Sequence, residues 1–195
     1  TMPSVQLTLS EESEVLLKGA GIFEGYYGLD SQPAFDSDGF FKTGDLGRVD
    51  SDGHLYITGR SKDIIVTAGG KNIAPRRIES KLDGELIHHS IVIGDDQPYL
   101  VALIALDDEY LYHLAEEQEW KGDFATLSQK PIVYKKILQK VEAANRELAS
   151  FEQVKKFAIL SEPLTEEKGL LTSTQKIKRS VILTVFLEEW NRLYS

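Results

Sequence analysis

Between residues 59 and 62 the chain changes its rhythm, and this shift constrains the fold more than any other feature. Ahead of it, strand-like runs at 14–18, 40–42 and 46–49 are short and separated by glycine-containing turns. Asp50-Ser51-Asp52-Gly53 then turns the chain into a further run at 55–58. Asp-Gly between two such runs is a strong hairpin signal, because glycine accepts positive φ. Past Arg60, short strands alternate with helical periods. The expected architecture is a β-rich section followed by an α+β domain, so the fold class is α+β.

The second section reads element by element. A short apolar strand falls at 64–67, and Pro75 suits the first turn of a helix carrying Ile78 and Leu82. Strands at 90–93 and 100–106 flank the polar turn 94–98. Asp107 is placed to cap a helix running towards Glu119. Pro131 opens a longer helix whose Tyr134, Ile137, Leu138, Val141 and Leu148 share one face at helical spacing. A strand at 154–160 and a terminal helix at 177–194 complete the expectation, with Val185, Phe186 and Trp190 turned to the core.

Composition sets outer limits. A chain of 195 residues can bury roughly 70% of the surface it exposes when unfolded, enough for a sizeable core. Net charge of -9 offers no electrostatic footprint for a phosphate backbone, so nucleic acid is not an expected partner. Without cysteine there is no disulfide, thiolate metal site or cysteine nucleophile. The apolar run at 181–187 is far shorter than the ~20 residues that span a bilayer. The first seven residues lack the basic stretch and apolar run of a signal peptide. A cytoplasmic location is expected, with peripheral contact at the inner membrane face left open.

Three segments combine glycines, fixed charges and turns. Phe41-Lys42-Thr43-Gly44-Asp45 ends in a carboxylate able to accept two hydrogen bonds, as from a ribose diol. Taken alone, it reads more readily as a strand-end turn with a solvated aspartate. The second segment runs from Gly59 to Glu79. Arg60 offers a planar fork for phosphate or ribose oxygens. Gly69 and Gly70 permit close backbone approach to a ligand, and Lys71 adds a mobile positive charge directly after them. The same stretch is also compatible with a hairpin loop bearing solvated charges. In the third, a polar loop from Gly169 feeds Lys176, Lys178 and Arg179, three cations in four residues suited to a phosphate. A solvated helix start remains open there, although the helix dipole does not favour cations at that end. His54, His88, His89 and His113 lack metal-ligand spacing with carboxylates, and Asp95-Asp96 and Asp107-Asp108 read as turn and cap residues.

In this order and spacing, the three segments resemble the C-terminal signature of the adenylate-forming superfamily of acyl-CoA synthetases, luciferases and peptide-synthetase adenylation domains. The resemblance is nearest to bacterial long-chain fatty acid–CoA ligases. It begins at Glu14-Val15-Leu16-Leu17-Lys18-Gly19 and Phe23-Glu24-Gly25-Tyr26-Tyr27 and continues through Ile65-Val66-Thr67-Ala68-Gly69-Gly70-Lys71-Asn72-Ile73-Ala74-Pro75. The resemblance implies that residues 1–61 are the β-rich end of a large domain and residues 62–195 a mobile C-terminal lid. It implies ATP with Mg2+, a fatty acid and coenzyme A as reactants. Asp45 would hold the ribose hydroxyls, Arg60 the ribose or phosphate, and Lys176 would be the adenylation lysine. Lys62 would be the hinge, with Gly69, Gly70 and Lys71 lining the coenzyme A channel.

Two departures accompany the resemblance. Ser173 stands where the signature usually has proline, and Gln175 where many relatives have glycine; Lys178 is the rival to Lys176. The family's Ser/Thr/Gly-rich phosphate loop, acyl tunnel and Mg2+ ligands are not in this sequence. The chain is therefore expected to be an inactive piece of a longer enzyme, with the missing N-terminal domain as its partner. Two alternatives stand beside this reading: an acyl-AMP ligase that uses no coenzyme A, and a non-catalytic lid-like module.

Overall fold

The structure, a computed structural model, describes residues 4–23 and 35–195. Of the sequence signature, the stretch from Glu24 to Tyr27 lies outside the described residues. Two units divide the chain, Thr1–Ile64 and Ile65–Ser195.

The first unit holds a four-stranded antiparallel sheet in chain order: β1 (Val5–Leu9), β2 (Glu14–Gly19), β3 (Phe41–Val49) and β4 (Leu55–Arg60). No sequence pattern announces β1, and β3 merges two of the expected runs, 40–42 and 46–49. The strand runs unbroken through Thr43, Gly44 and Asp45, with a bulge between Leu46 and Gly47 in its pairing with β4. Glycine is required there, because a Cβ on Gly47 would lie 2.8 Å from Val15 Cγ2 and 3.2 Å from the Tyr56 carbonyl oxygen. The expected Asp-Gly hairpin forms. Asp50 Oδ1 accepts hydrogen bonds from the Asp52 and His54 amides, closing the turn between β3 and β4.

The second unit is organised by β8 (Leu100–Leu106), in which all seven residues are buried. Side chains alternate across a strand, and both faces of this one are covered. Leu100, Ala102, Ile104 and Leu106 enter one core cluster, while Val101, Leu103 and Ala105 enter the other. Burial on both faces explains the unbroken apolar run. β8 pairs antiparallel with β7 (Ile87–Ile93) and parallel with β9 (Val154–Ile159). The parallel pairing requires a crossover, which α2 (Asp108–Glu117), α3 (Phe124–Ser128) and α4 (Pro131–Arg146) provide. With α1 (Pro75–Leu82), they supply residues to the first cluster. The segment after β9 supplies Leu160, Leu164, Leu170, Leu171, Ile182 and Phe186 to the second.

Caps behave as the residue types dictate. Asp107 accepts from the Tyr110 amide at 2.8 Å, and Pro75 and Pro131 stand in the first turns of α1 and α4. Two expectations need correction. On α4 the buried line is Val133, Ile137, Val141 and Ala144, whereas Tyr134 and Leu138 face outward and Leu148 lies past the helix end. Tyr134 instead stacks on Phe157 at 5.0 Å. The single terminal helix is two short ones, α5 (Arg179–Val185) and α6 (Leu187–Asn191). Ile177 is not helical, because it pairs with Leu171 in an antiparallel bridge. At the break, Phe186 stays in the core, and Trp190 Nε1 donates to the Leu183 carbonyl that a continuous helix would use internally. Val185, expected in the core, is exposed. Among the described residues no helix is long and apolar enough to cross a membrane.

Candidate active site

In the first unit the sheet brings Asp45 and Arg60 together. They are register partners across β3 and β4, and Asp45 Oδ1 lies 3.0 Å from Arg60 Nε. Thr43 Oγ1 accepts from the Asp45 amide and donates to the Val15 carbonyl, fixing the middle of β3, which carries the carboxylate, so Asp45 is not the strand-end residue the sequence suggests. The Gly44 amide donates to Glu14 Oε1. The Arg60 side chain is 68% exposed, and ion pairs of that kind contribute no more than about 1 kcal/mol. The pair is therefore not what holds the sheet, and both groups remain accessible to a ligand. Lys62 follows in an exposed turn of 3-10 helix, Ser61–Asp63.

In the second unit the glycine pair sits at the tip of a small ribbon, β5 (Ile65–Val66) with β6 (Asn72–Ile73). Thr67 ties the loop: its amide donates to the Lys71 carbonyl, its carbonyl accepts from the Gly70 amide, and its hydroxyl accepts from the Lys71 amide. Gly70 has φ +71°, so a side chain there would strain the turn, and a Cβ would meet nothing within 4 Å. Gly69 needs no positive φ. Lys71 Nζ lies 5.5 Å from the Phe151 ring centroid. Asp95 is a turn residue, as expected, with its carboxylate accepting from the Val66 amide.

Lys176 closes a second hairpin. Its amide donates to Thr172 Oγ1 at 3.1 Å, and its carbonyl accepts from the Thr172 amide at 2.8 Å. Below it the Leu171–Ile177 bridge and the Lys178 amide bonded to the Leu170 carbonyl anchor the turn to the buried Leu170 and Leu171. Lys176 is exposed and forms no ion pair within 4.0 Å among the described residues. Gln175 has φ +60°, which gives a physical reason for glycine at this place in relatives. A left-handed side-chain residue costs roughly 1–2 kcal/mol, and glycine's greater freedom when unfolded takes back ~0.5–1. Gln175→Gly should therefore stabilise the chain by up to ~1.5 kcal/mol in urea denaturation. Clear destabilisation would show that the turn is not strained.

The three cations of this segment do not act alike. Arg179 leaves the group, because its Nη1 lies 2.6 Å from Glu79 Oε1 and its Nη2 donates to the Val92 carbonyl. The Glu79 side chain is 3% exposed and also accepts from the Val92 amide. Glu79 was overlooked in the sequence, although a signal was present. It falls at helical spacing with Pro75, Ile78 and Leu82 on the buried face of α1.

Other polar groups find structural explanations. Asp50, Asp52 and His54 place ligand atoms within 4.8 Å of one another, a grouping that sequence spacing did not suggest. Hydrogen bonds, first from the His54 amide, hold the Asp50 carboxyl below its usual range, and its Oδ1 accepts both amides of the turn. His88 and His89 stack at 4.3 Å, and His89 Nε2 is buried without a hydrogen-bond partner. Burial first, then His88 and Arg76, lowers the His89 pKa from 6.5 to about 4. Between those values the unfolded chain holds a proton that the folded chain does not, so stability falls as pH drops from 6.5 to about 4. His89→Leu should flatten that leg of the stability curve in urea titrations; an unchanged leg would place its origin elsewhere. A cleft of about 280 Å³ bounded by Gly84, Leu86, Tyr110, Lys136 and Lys140 contains none of the candidate residues.

Comparison with known proteins decides what this arrangement belongs to. The family model for the AMP-binding enzyme C-terminal domain matches residues 62–195. The chain belongs to the AMP-binding enzyme family. It is 39% identical over 208 residues to the long-chain-fatty-acid–CoA ligase FadD15 of Mycobacterium tuberculosis, with 100% of the chain and 33% of that relative covered. It is 35% identical to the long-chain-fatty-acid–CoA ligase 5 of Rattus norvegicus, over 96% of the chain and 28% of the relative. The chain thus spans about a third of the length of the curated relatives it matches. Among solved structures, the adenylation domain of a carboxylate reductase from Mycobacterium chelonae has a TM-score of 0.74 at 26% identity, covering 99% of this chain and 31% of that one. A carboxylic acid reductase A domain from Segniliparus rugosus, in complex with AMP and a co-purified carboxylic acid, has a TM-score of 0.77 at 23% identity, covering 99% and 32%. At that identity it supports the fold alone.

Proposed function

We propose that this chain is the nucleotide-closing and lid part of a fatty acid–CoA ligase that forms AMP. The observation that carries the reading is similarity without a gap in coverage: relatives bearing that name match 96–100% of the chain. In the first half-reaction a fatty acid carboxylate oxygen attacks the ATP α-phosphorus, and the bond to pyrophosphate breaks. In the second, a thiol sulfur attacks the acyl carbonyl and AMP leaves, the thiol proton passing to solvent.

Each candidate residue has a task that its geometry permits. The Asp45 oxygen not turned to Arg60 accepts from the ribose diol, and Arg60 donates to ribose or phosphate oxygens. The Lys176 ammonium stabilises charge developing between the carboxylate and the α-phosphate, an effect strongest when the donor is held in place beforehand. Rotation about Lys62 then withdraws Lys176 and brings the Gly69–Gly70 turn to the thiol's channel, with Lys71 towards the coenzyme A phosphate. The bulk of the large domain, supplied by the rest of the polypeptide, carries the phosphate loop and acyl tunnel. Mg2+ accompanies ATP, and its ligands belong to the rest of the polypeptide rather than to Asp50, Asp52 and His54, where Asp50 Oδ1 already accepts two turn amides. No step is assigned to the ion here.

Coenzyme A-dependent thioester formation by the complete polypeptide tests the reading. Acyl-adenylate that accumulates with no thioester would make the protein an acyl-AMP ligase. No adenylate at all would favour a non-catalytic module.

A further inference from the structure

We propose that Arg179 is the positioning residue for Lys176, setting its turn against α1 through Glu79. The inference rests on the ligase reading above. Arg179 follows Lys176 by three residues, and its two terminal nitrogens reach different elements: Glu79 on α1 and the Val92 carbonyl on β7. Glu79 in turn accepts from the Val92 amide, so α1, β7 and the start of α5, directly after the lysine hairpin, meet at one carboxylate. Nearly complete burial of that carboxylate restricts the angles at which the guanidinium can approach. Leu170 and Leu171 also anchor the hairpin, through buried apolar side chains and through amides that both donate to the Thr165 carbonyl. Among the described residues, the Arg179 fork is the one side-chain hydrogen-bonded link from the segment 170–179 to α1 and β7.

Geometry also limits where the effect should appear. The Gly69–Gly70 turn is tied by Thr67 and by its own ribbon, without Arg179. An error in the fork displaces Lys176 while leaving the glycine turn in place. Small displacements of a charge-stabilising group are costly to the step that uses it. A loss confined to adenylation is therefore expected.

Arg179→Lys in the complete polypeptide is the deciding variant. It keeps a positive charge against Glu79, and so the neutrality of the core, but a single ammonium lacks the planar fork. The kcat of acyl-adenylate formation should fall about tenfold, with the KM for ATP and for fatty acid unchanged within about twofold. Thioester formation from supplied acyl-adenylate should stay within about twofold, whereas a misfolded lid would slow both half-reactions. Arg179→Met should deepen the adenylation loss if it folds, and Arg179→Lys decides the matter if it does not. Equal loss in both half-reactions, or loss in neither, overturns the positioning role. Silence of the unaltered polypeptide in both half-reactions would overturn the ligase reading itself, and this inference with it.

Discussion

Replacing Lys176 by alanine in the complete polypeptide lowers acyl-adenylate formation by ~100-fold or more, the usual consequence of removing a preorganised donor from a developing charge. The structure makes this variant easy to interpret. The Lys176 side chain is exposed, and the turn is held by its backbone through Thr172 and by the Leu171–Ile177 bridge. Truncation therefore leaves the hairpin intact, and the unfolding midpoint should not move appreciably. Lys178 serves as the control, since it too is exposed but lies beyond the bridge. Lys178→Ala should stay within a few-fold of the parent. If Lys176→Ala keeps adenylate formation while Lys178→Ala loses it, the roles are reversed.

The second large effect is on nucleotide binding. Asp45→Ala should raise the KM for ATP by ~10-fold or more and leave kcat within a few-fold. A hydrogen bond to a charged group contributes ~1.5–3 kcal/mol, and each 1.4 kcal/mol is a factor of ten. Loss of the Asp45–Arg60 pair adds little, because Arg60 is mostly exposed and such pairs contribute under about 1 kcal/mol. Stability should thus be nearly unchanged while ATP affinity falls. Initial rates measured against ATP concentration distinguish the cases: an unchanged KM would mean that Asp45 serves only the sheet, as the partner of Arg60.

Local signals were legible and non-local ones were not. The Asp-Gly hairpin, Pro75 and Pro131 in their first turns, the Asp107 cap and the apolar strand at 100–106 each depend on neighbours within a few residues. The phase of α4 was misread because Tyr134 and Leu138 are apolar yet face outward, and only the packing around Val133 and Ile137 sets the rotation. The break at Phe186 was hidden because it depends on Trp190 taking the Leu183 carbonyl. β1 carries alternating Gln6 and Thr8 that look like loop, and its pairing with β2 makes it a strand.

The candidate site divided in the same way. Glycines, cations and the carboxylate after Gly44 stand out as residue types, which makes Asp45, Arg60, Gly69, Gly70 and Lys176 candidates. What each cation touches was not visible. Arg179 read as one of three phosphate-facing charges until Glu79, 100 residues away in the chain, appeared beside it. The contrast between exposed Lys176 and committed Arg179 exists only in the folded unit.

The most direct test of the central claim is fatty-acid-dependent ATP–pyrophosphate exchange by the complete polypeptide, with the 195-residue chain measured alongside. Exchange that requires fatty acid, present in the complete polypeptide and absent from this chain alone, is the expected result. Exchange by this chain alone would contradict the need for the rest of the large domain, and no exchange by either would contradict the ligase assignment.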